Sequence, residues 1–157
     1  MPEMTAPRSM MSVTDEHPSV WPMTDAAPRM TPPLDDLNRE FWTAGASGQL
    51  RLTRCASCRR WVFPLASVCP DCGGHTAYEA TSGKGTVFTY TTNSHPYNPA
   101  VPIPYNISIV ELSDQEGLRF TTNVVGCPPE DVHIGMPVHV AFEQHGDVFV
   151  PVFAPDS

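Results

Sequence analysis

"CASCRRWVFPLASVCPDCGG", residues 55–74, holds four of the chain's five cysteines. Cys55, Cys58, Cys69 and Cys72 read C-x2-C-x10-C-x2-C. Two residues inside each pair let both sulfurs face one ion across a tight turn. The gap of ten residues accommodates a hairpin that carries the second pair over the first. Four thiolates in a tetrahedron suit Zn²⁺, and iron in a rubredoxin-type site is the rival metal because an S₄ set accepts both. Gly73 and Gly74 fit the turn such a knuckle needs. A Cys₄ set leaves no open position for water, so the expectation is a structural zinc ribbon. Without the ion, residues 49–74 bury too little to stand alone.

The rest of the composition narrows the function. In 157 residues there are 9 Lys and Arg against 17 Asp and Glu, a net charge of −8, which disfavours a general nucleic-acid binder. Clustered thiols with one left over, Cys127, make a poor disulfide framework, so a reducing, cytoplasmic setting is expected. No apolar run reaches the length of a membrane span, and no basic-then-apolar leader opens the chain.

Outward from the ribbon, residues 1–33 are proline-rich without apolar periodicity and read as a disordered or loosely attached tail. In "LDDLNREFWTAG", Leu34, Leu37, Phe41 and Trp42 share one helical face, with Asp35 and Asp36 in the first turn and Gly45 to end it. This segment, 34–48, is the expected N-terminal helix. Its short stripe must pack on its own domain or on another subunit.

"QLRLTRC" and "RRWVFP" make a short hairpin around the first cysteine pair, and 49–75 is the expected ribbon. From 76 to 157 the pattern is β. The runs 85–93, 105–112, 118–126, 137–144 and 147–154 are rich in β-branched and aromatic residues, with "SDQEG" and "HG" as turns. Five strands in so short a span suit a small barrel or curled sheet better than a sandwich. The fold class is mainly β.

Arg51, Arg54, Arg59 and Arg60 surround the cysteines, while Glu40 is the one acid in 39–60. They either offset the charge of a metal–thiolate centre or form a face for an anion, such as a phosphate or an acidic subunit. The loop "SHPYNPAVPIPY" (94–105) is stiffened by proline and carries His95, Tyr97 and Asn98. It reads as a partner- or substrate-facing loop, or as a connection capping the barrel. Cys127 has no base at a spacing that suggests a nucleophile, and His95, His133, His139 and His145 form no metal motif.

The ribbon, then "SGKGTVFTYTT" (82–92), "PYNISIVEL" (104–112) and "TNVVGCPPEDVHIGMPVHVAFE" (122–143), together resemble the rubredoxin-like zinc-ribbon/OB-fold proteins associated with thiolases. The resemblance spans about residues 37–153. It implies an OB-fold for the barrel. It also implies a non-catalytic accessory subunit, in a hetero-oligomer with a thiolase-like or aldolase enzyme acting on acyl-CoA thioesters of lipid or steroid side-chain type. The catalytic residues would belong to the partner. Arg54, Arg59, Arg60, His95, Tyr97, Asn98, Phe41 and Trp42 are the candidate contacts to that partner or to acyl-CoA. A free-standing acyl-CoA or nucleotide-ligand binder is the alternative. A single-strand nucleic-acid binder ranks lower, since 76–157 offers only Lys84 and Arg119 as cations.

Overall fold

The computed structural model describes residues 20–21 and 29–156. Most of the expected tail, 1–33, lies outside the described residues. Within it, β1 (Val20–Trp21) runs parallel to a barrel strand, pairing with Phe142 and Glu143.

The N-terminal helix is shorter than the apolar spacing suggests. The Asp35 carboxylate accepts the N–H groups of Leu37 and Asn38, and the Asn38 side chain accepts the N–H of Asp35. That reciprocal cap opens a turn rather than extending a helix upstream. The helix itself, α1, spans Arg39–Thr43 and tightens into a 3-10 turn over Ala44–Ser47. Phe41 is buried, whereas Leu37 is exposed and does not join the stripe. α1 ends just before Gly45, but the chain stays helical through the 3-10 turn, which Gly48, at φ 70°, caps. Gly45 is needed for close approach, because a Cβ there would lie 2.4 Å from the Phe149 Cβ and 2.6 Å from the Phe142 ring.

The ribbon is a three-stranded antiparallel sheet in the order β3-β2-β4, with β2 at Arg51–Cys55, β3 at Trp61–Val62 and β4 at Thr76–Ala80. The sheet that carries the cysteines therefore runs five residues past the expected end at 75. Leu50, Leu52 and Trp61 point away from the metal centre into the main core, while Cys55, Val62 and Cys69 form a separate small cluster.

The barrel strands follow the β-rich runs: β5 (Lys84–Asn93), β6 (Tyr105–Leu112), β7 (Arg119–Thr122), β8 (Pro137–His145) and β9 (Val148–Pro155). They lie in the order β8-β5-β6-β7, with β9 on the other edge of β8. A bulge between Val87 and Thr89 bends β5 and helps curl the sheet. The curl closes where Val124 bridges Phe153 in parallel, through Val125 N–H to Phe153 O (2.7 Å) and Phe153 N–H to Asn123 O (3.0 Å). This is the five-stranded curled sheet expected of an OB-fold. Alternate residues Val110, Leu112, Phe120, Val138, Phe142 and Phe153 fill it, and Phe41 closes one end against Phe63 and Phe120. No helix among the described residues is long and apolar enough to cross a membrane.

Candidate functional site

The two cysteine pairs are built alike. Cys55 N–H donates to Arg60 O and Cys69 N–H to Gly74 O, both at 2.8 Å. Arg59 N–H returns to Cys55 O (3.1 Å) as Gly73 N–H returns to Cys69 O (3.0 Å). The residue after each pair sits in the left-handed region: Gly73 at φ 73°, where glycine is at no cost, and Arg59 at φ 63°, where a side chain is strained. Gly74 answers a second demand, because a Cβ there would meet the Cys55 sulfur at 3.1 Å and the Ser57 hydroxyl at 2.7 Å.

The knuckles bring all four Sγ atoms within 4.8 Å of one another. Cys55 and Cys72 are 3.4 Å apart, and Cys58 and Cys69 are 3.7 Å apart. A Zn²⁺ ion with sulfurs at about 2.3 Å needs S···S separations of about 3.8 Å, so the set fits zinc. The bare thiols resist sharing charge. The Cys58 N–H draws Cys55 down to about 6. The Arg60 N–H pulls Cys58 down too, but the sulfurs of Cys55 and Cys72 push it up to about 12. A dication relieves this conflict, so loading the site releases protons. The ion's role is to cross-link two turns, since the tetrathiolate set leaves no position for substrate.

Three of the four arginines around the ribbon find carboxylates from outside residues 39–60. Glu79 on β4 takes both Arg54 (3.1 Å) and Arg59 (2.7 Å), and Asp71 takes Arg60 (2.8 Å). Glu40 meets Arg51 at 3.2 Å, and the Arg54 guanidinium also lies 4.7 Å from the centre of the Trp61 ring. The Arg59 hydrogen bonds hold the Glu79 carboxyl below its usual range. Glu79 was not among the candidate residues, although it is the acid nearest the cluster on its C-terminal side.

Away from the metal centre, four parts of the chain line an open-sided cavity of about 650 Å³. They are residues 29–32 with Trp42, the proline-rich loop, the 123–129 segment, and Glu143 and Val150 of the β8–β9 hairpin. Of the candidate contacts, Trp42 and Asn98 face this cavity; Phe41 is buried behind it in the core. His95 and Tyr97 stack edge to face at 4.6 Å on the outside of the loop, where Tyr97 is 79% exposed. Arg54, Arg59 and Arg60 are elsewhere, on the ribbon. Cys127 lines the cavity, and desolvation, helped by the charge of Asp131, pushes its thiol up. No histidine lines the cavity among the described residues.

Known proteins match both modules. Residues 42–79 match the family described as ChsH2, rubredoxin-like zinc ribbon domain, and 78–143 match ChsH2, C-terminal OB-fold domain. A probable enoyl-CoA hydratase alpha subunit of Thermomonospora curvata is 37% identical over 84% of the chain, which spans 42% of that relative. A DUF35 domain-containing scaffold protein of Methanocaldococcus jannaschii is 42% identical over 58% of the chain, which spans 65% of it. Among solved structures, a chain of the Ltp2-ChsH2(DUF35) aldolase superposes with a TM-score of 0.71 at 34% identity, covering 80% of this chain and 98% of that one.

Proposed function

Because the chain belongs to the DUF35 family of ChsH2-type zinc-ribbon and OB-fold proteins, we propose that it is a non-catalytic accessory subunit. It pairs with a thiolase-like or aldolase chain that acts on acyl-CoA thioesters of lipid or steroid side-chain type. The observation that carries this reading is the near-complete coverage of a chain from an aldolase assembly, 98% of its length at 34% identity. The site chemistry agrees. The cysteine cluster is closed, and among the described residues the one thiol in the cavity, Cys127, is pushed toward its protonated form with no imidazole in the cavity wall. Neither arrangement supplies the activated nucleophile or the acid–base pair that acyl chemistry needs.

In this role the ribbon and barrel act as a rigid support. Tyr97, with His95 packed against it, offers an exposed aromatic anchor on a loop that loses little entropy on docking. The test is co-purification of a tagged chain from its host, with identification of the bound proteins and metal analysis. A stoichiometric thiolase-fold or aldolase chain with one zinc per small subunit is expected. A zinc-loaded protein that emerges alone, and stays monomeric with candidate enzymes added, removes the accessory role. Replacing Tyr97 and Asn98 together by alanine should weaken assembly about tenfold or more, as loss of an interface anchor does, while the fold is retained.

A further inference from the structure

The cavity beside Trp42 has no part in holding the metal, and its walls specify a ligand. We propose that it is a binding site for the uncharged, apolar end of a small molecule: a hydrocarbon chain or ring system carrying at most a hydroxyl or amide donor. On the accessory-subunit reading, on which the physiological source rests, that end is the acyl part of the thioester and not its nucleotide.

Size and lining come first. At about 650 Å³ the cavity falls within the range of about 300–1,000 Å³ typical of ligand pockets. Trp42, Val101, Pro104, Val124, Val125 and Val150 give it apolar walls from four parts of the chain. Those walls are preformed. Val150 lies in a strand, Val124 in the bridge that closes the barrel, and the loop is stiffened by its prolines.

Several of the polar groups in its lining already have partners within the chain. Asn106 is buried: its amide donates to Val124 O (2.6 Å), while its oxygen accepts the Val124 N–H (2.8 Å) and the Ser108 hydroxyl (2.9 Å). Asn123 gives its amide N–H to Asn106 O, and its Oδ1 has no hydrogen-bond partner among the described residues. Asn123 lines the cavity, so this oxygen is an acceptor available to a ligand donor. Arg29 is the one cation lining the cavity among the described residues, and Glu143 neutralises it by direct contact. A polyphosphate would therefore enter without a counter-charge, which the low-dielectric walls make costly.

The experiment is calorimetric titration of the full-length, zinc-loaded chain with 1-decanol, with free CoA as a competitor. Two variants fill the space from different walls, Val101→Trp on the loop and Val125→Trp at the barrel closure. The expected result is one saturable site per chain, weakened at least about tenfold in either variant at unchanged circular dichroism and zinc content, and untouched by excess CoA. Absence of saturable binding to the folded wild type, equal affinity in a folded Val101→Trp variant, or displacement of decanol by CoA overturns the proposal. Val101→Trp lies outside the strands, so it keeps the test valid should Val125→Trp fail to fold. Enzyme assembly is scored separately. A chain that assembles normally but binds no decanol overturns the cavity site alone, and one that binds decanol but assembles with nothing overturns the accessory role alone.

Discussion

The ribbon and the barrel sit side by side on one chain, yet different forces hold them. The barrel closes on itself around a continuous apolar interior, with Phe142 and Phe153 at 1% and 0% exposure. Around its own centre the ribbon's apolar cluster is small: Cys55, Val62 and Cys69, with Ala66 against them. Its larger apolar residues, Leu50, Leu52 and Trp61, serve the barrel's core instead. Local burial cannot order the cysteine turns, so their stability must come from the metal, whereas the barrel's comes from apolar area. Two modules of similar hydrogen-bonding regularity can thus fail under quite different insults.

The widest split between them should follow removal of a ligand. Cys58→Ser should abolish zinc binding and unfold the 55–74 turns, since a structural zinc contributes on the order of 10 kcal/mol to its own site. Zinc analysis and thermal melting check this, and a metal-free variant that melts like the wild type would break the contrast. Phe142→Ala attacks the other side. It should cost about 3–5 kcal/mol by opening a hole in the barrel, with one zinc still bound below the melt. Loss of zinc before the barrel melts would show that the two cores are not separable in this way.

Gln115 sharpens the contrast because it joins the regions. Its amide oxygen accepts the Trp61 N–H at 2.8 Å and its amide nitrogen donates to Trp61 O at 3.2 Å, so the β6–β7 turn grips the ribbon's short strand. Gln115→Ala should cost about 1–3 kcal/mol in chemical denaturation, with faster zinc release to a chelator as the mark of weakened coupling. The smallest effect belongs to Glu79. Its carboxyl is held below the ordinary value of 4.5 mainly by Arg59, so its pairing stabilises the fold fully above that value. The stabilisation is lost as pH falls through the lower, folded-state value. Glu79→Gln should flatten this acid limb of a stability–pH profile; an unchanged limb would remove the arginine pairs from the account. Zinc-loaded samples and a chelated control separate this limb from metal loss.

The strands and the gathering of the four cysteines are legible because each depends on local pattern. Alternation marks β5 through β9, and a fixed cysteine spacing marks the centre. Strand β4 carries no such mark: Thr76–Ala80 is short and pairs with β2, a partner that no local alternation reports. The charge balance around the ribbon is hidden for the same reason. The partner of Arg54 and Arg59 is Glu79, which only the pairing of β4 with β2 brings alongside them. The cavity was the least accessible feature. Trp42, Asn98 and Cys127 were each singled out, but only closure of the barrel makes them neighbours.

Trp61 lies between the cysteine pairs, yet it is buried in the main core that the ribbon shares with the barrel and not in the cysteine cluster. A gene cut at the joint near residue 81 would therefore produce two greasy halves rather than two domains. The upstream piece would carry Leu50, Leu52 and Trp61 uncovered, and the downstream piece an unplugged barrel mouth around Phe120. Recombination among relatives should tolerate exchange of the whole 34–156 unit and punish exchange of the ribbon by itself. Anyone grafting this zinc site onto another scaffold must supply, besides four sulfurs, a hydrophobic seat for the tryptophan.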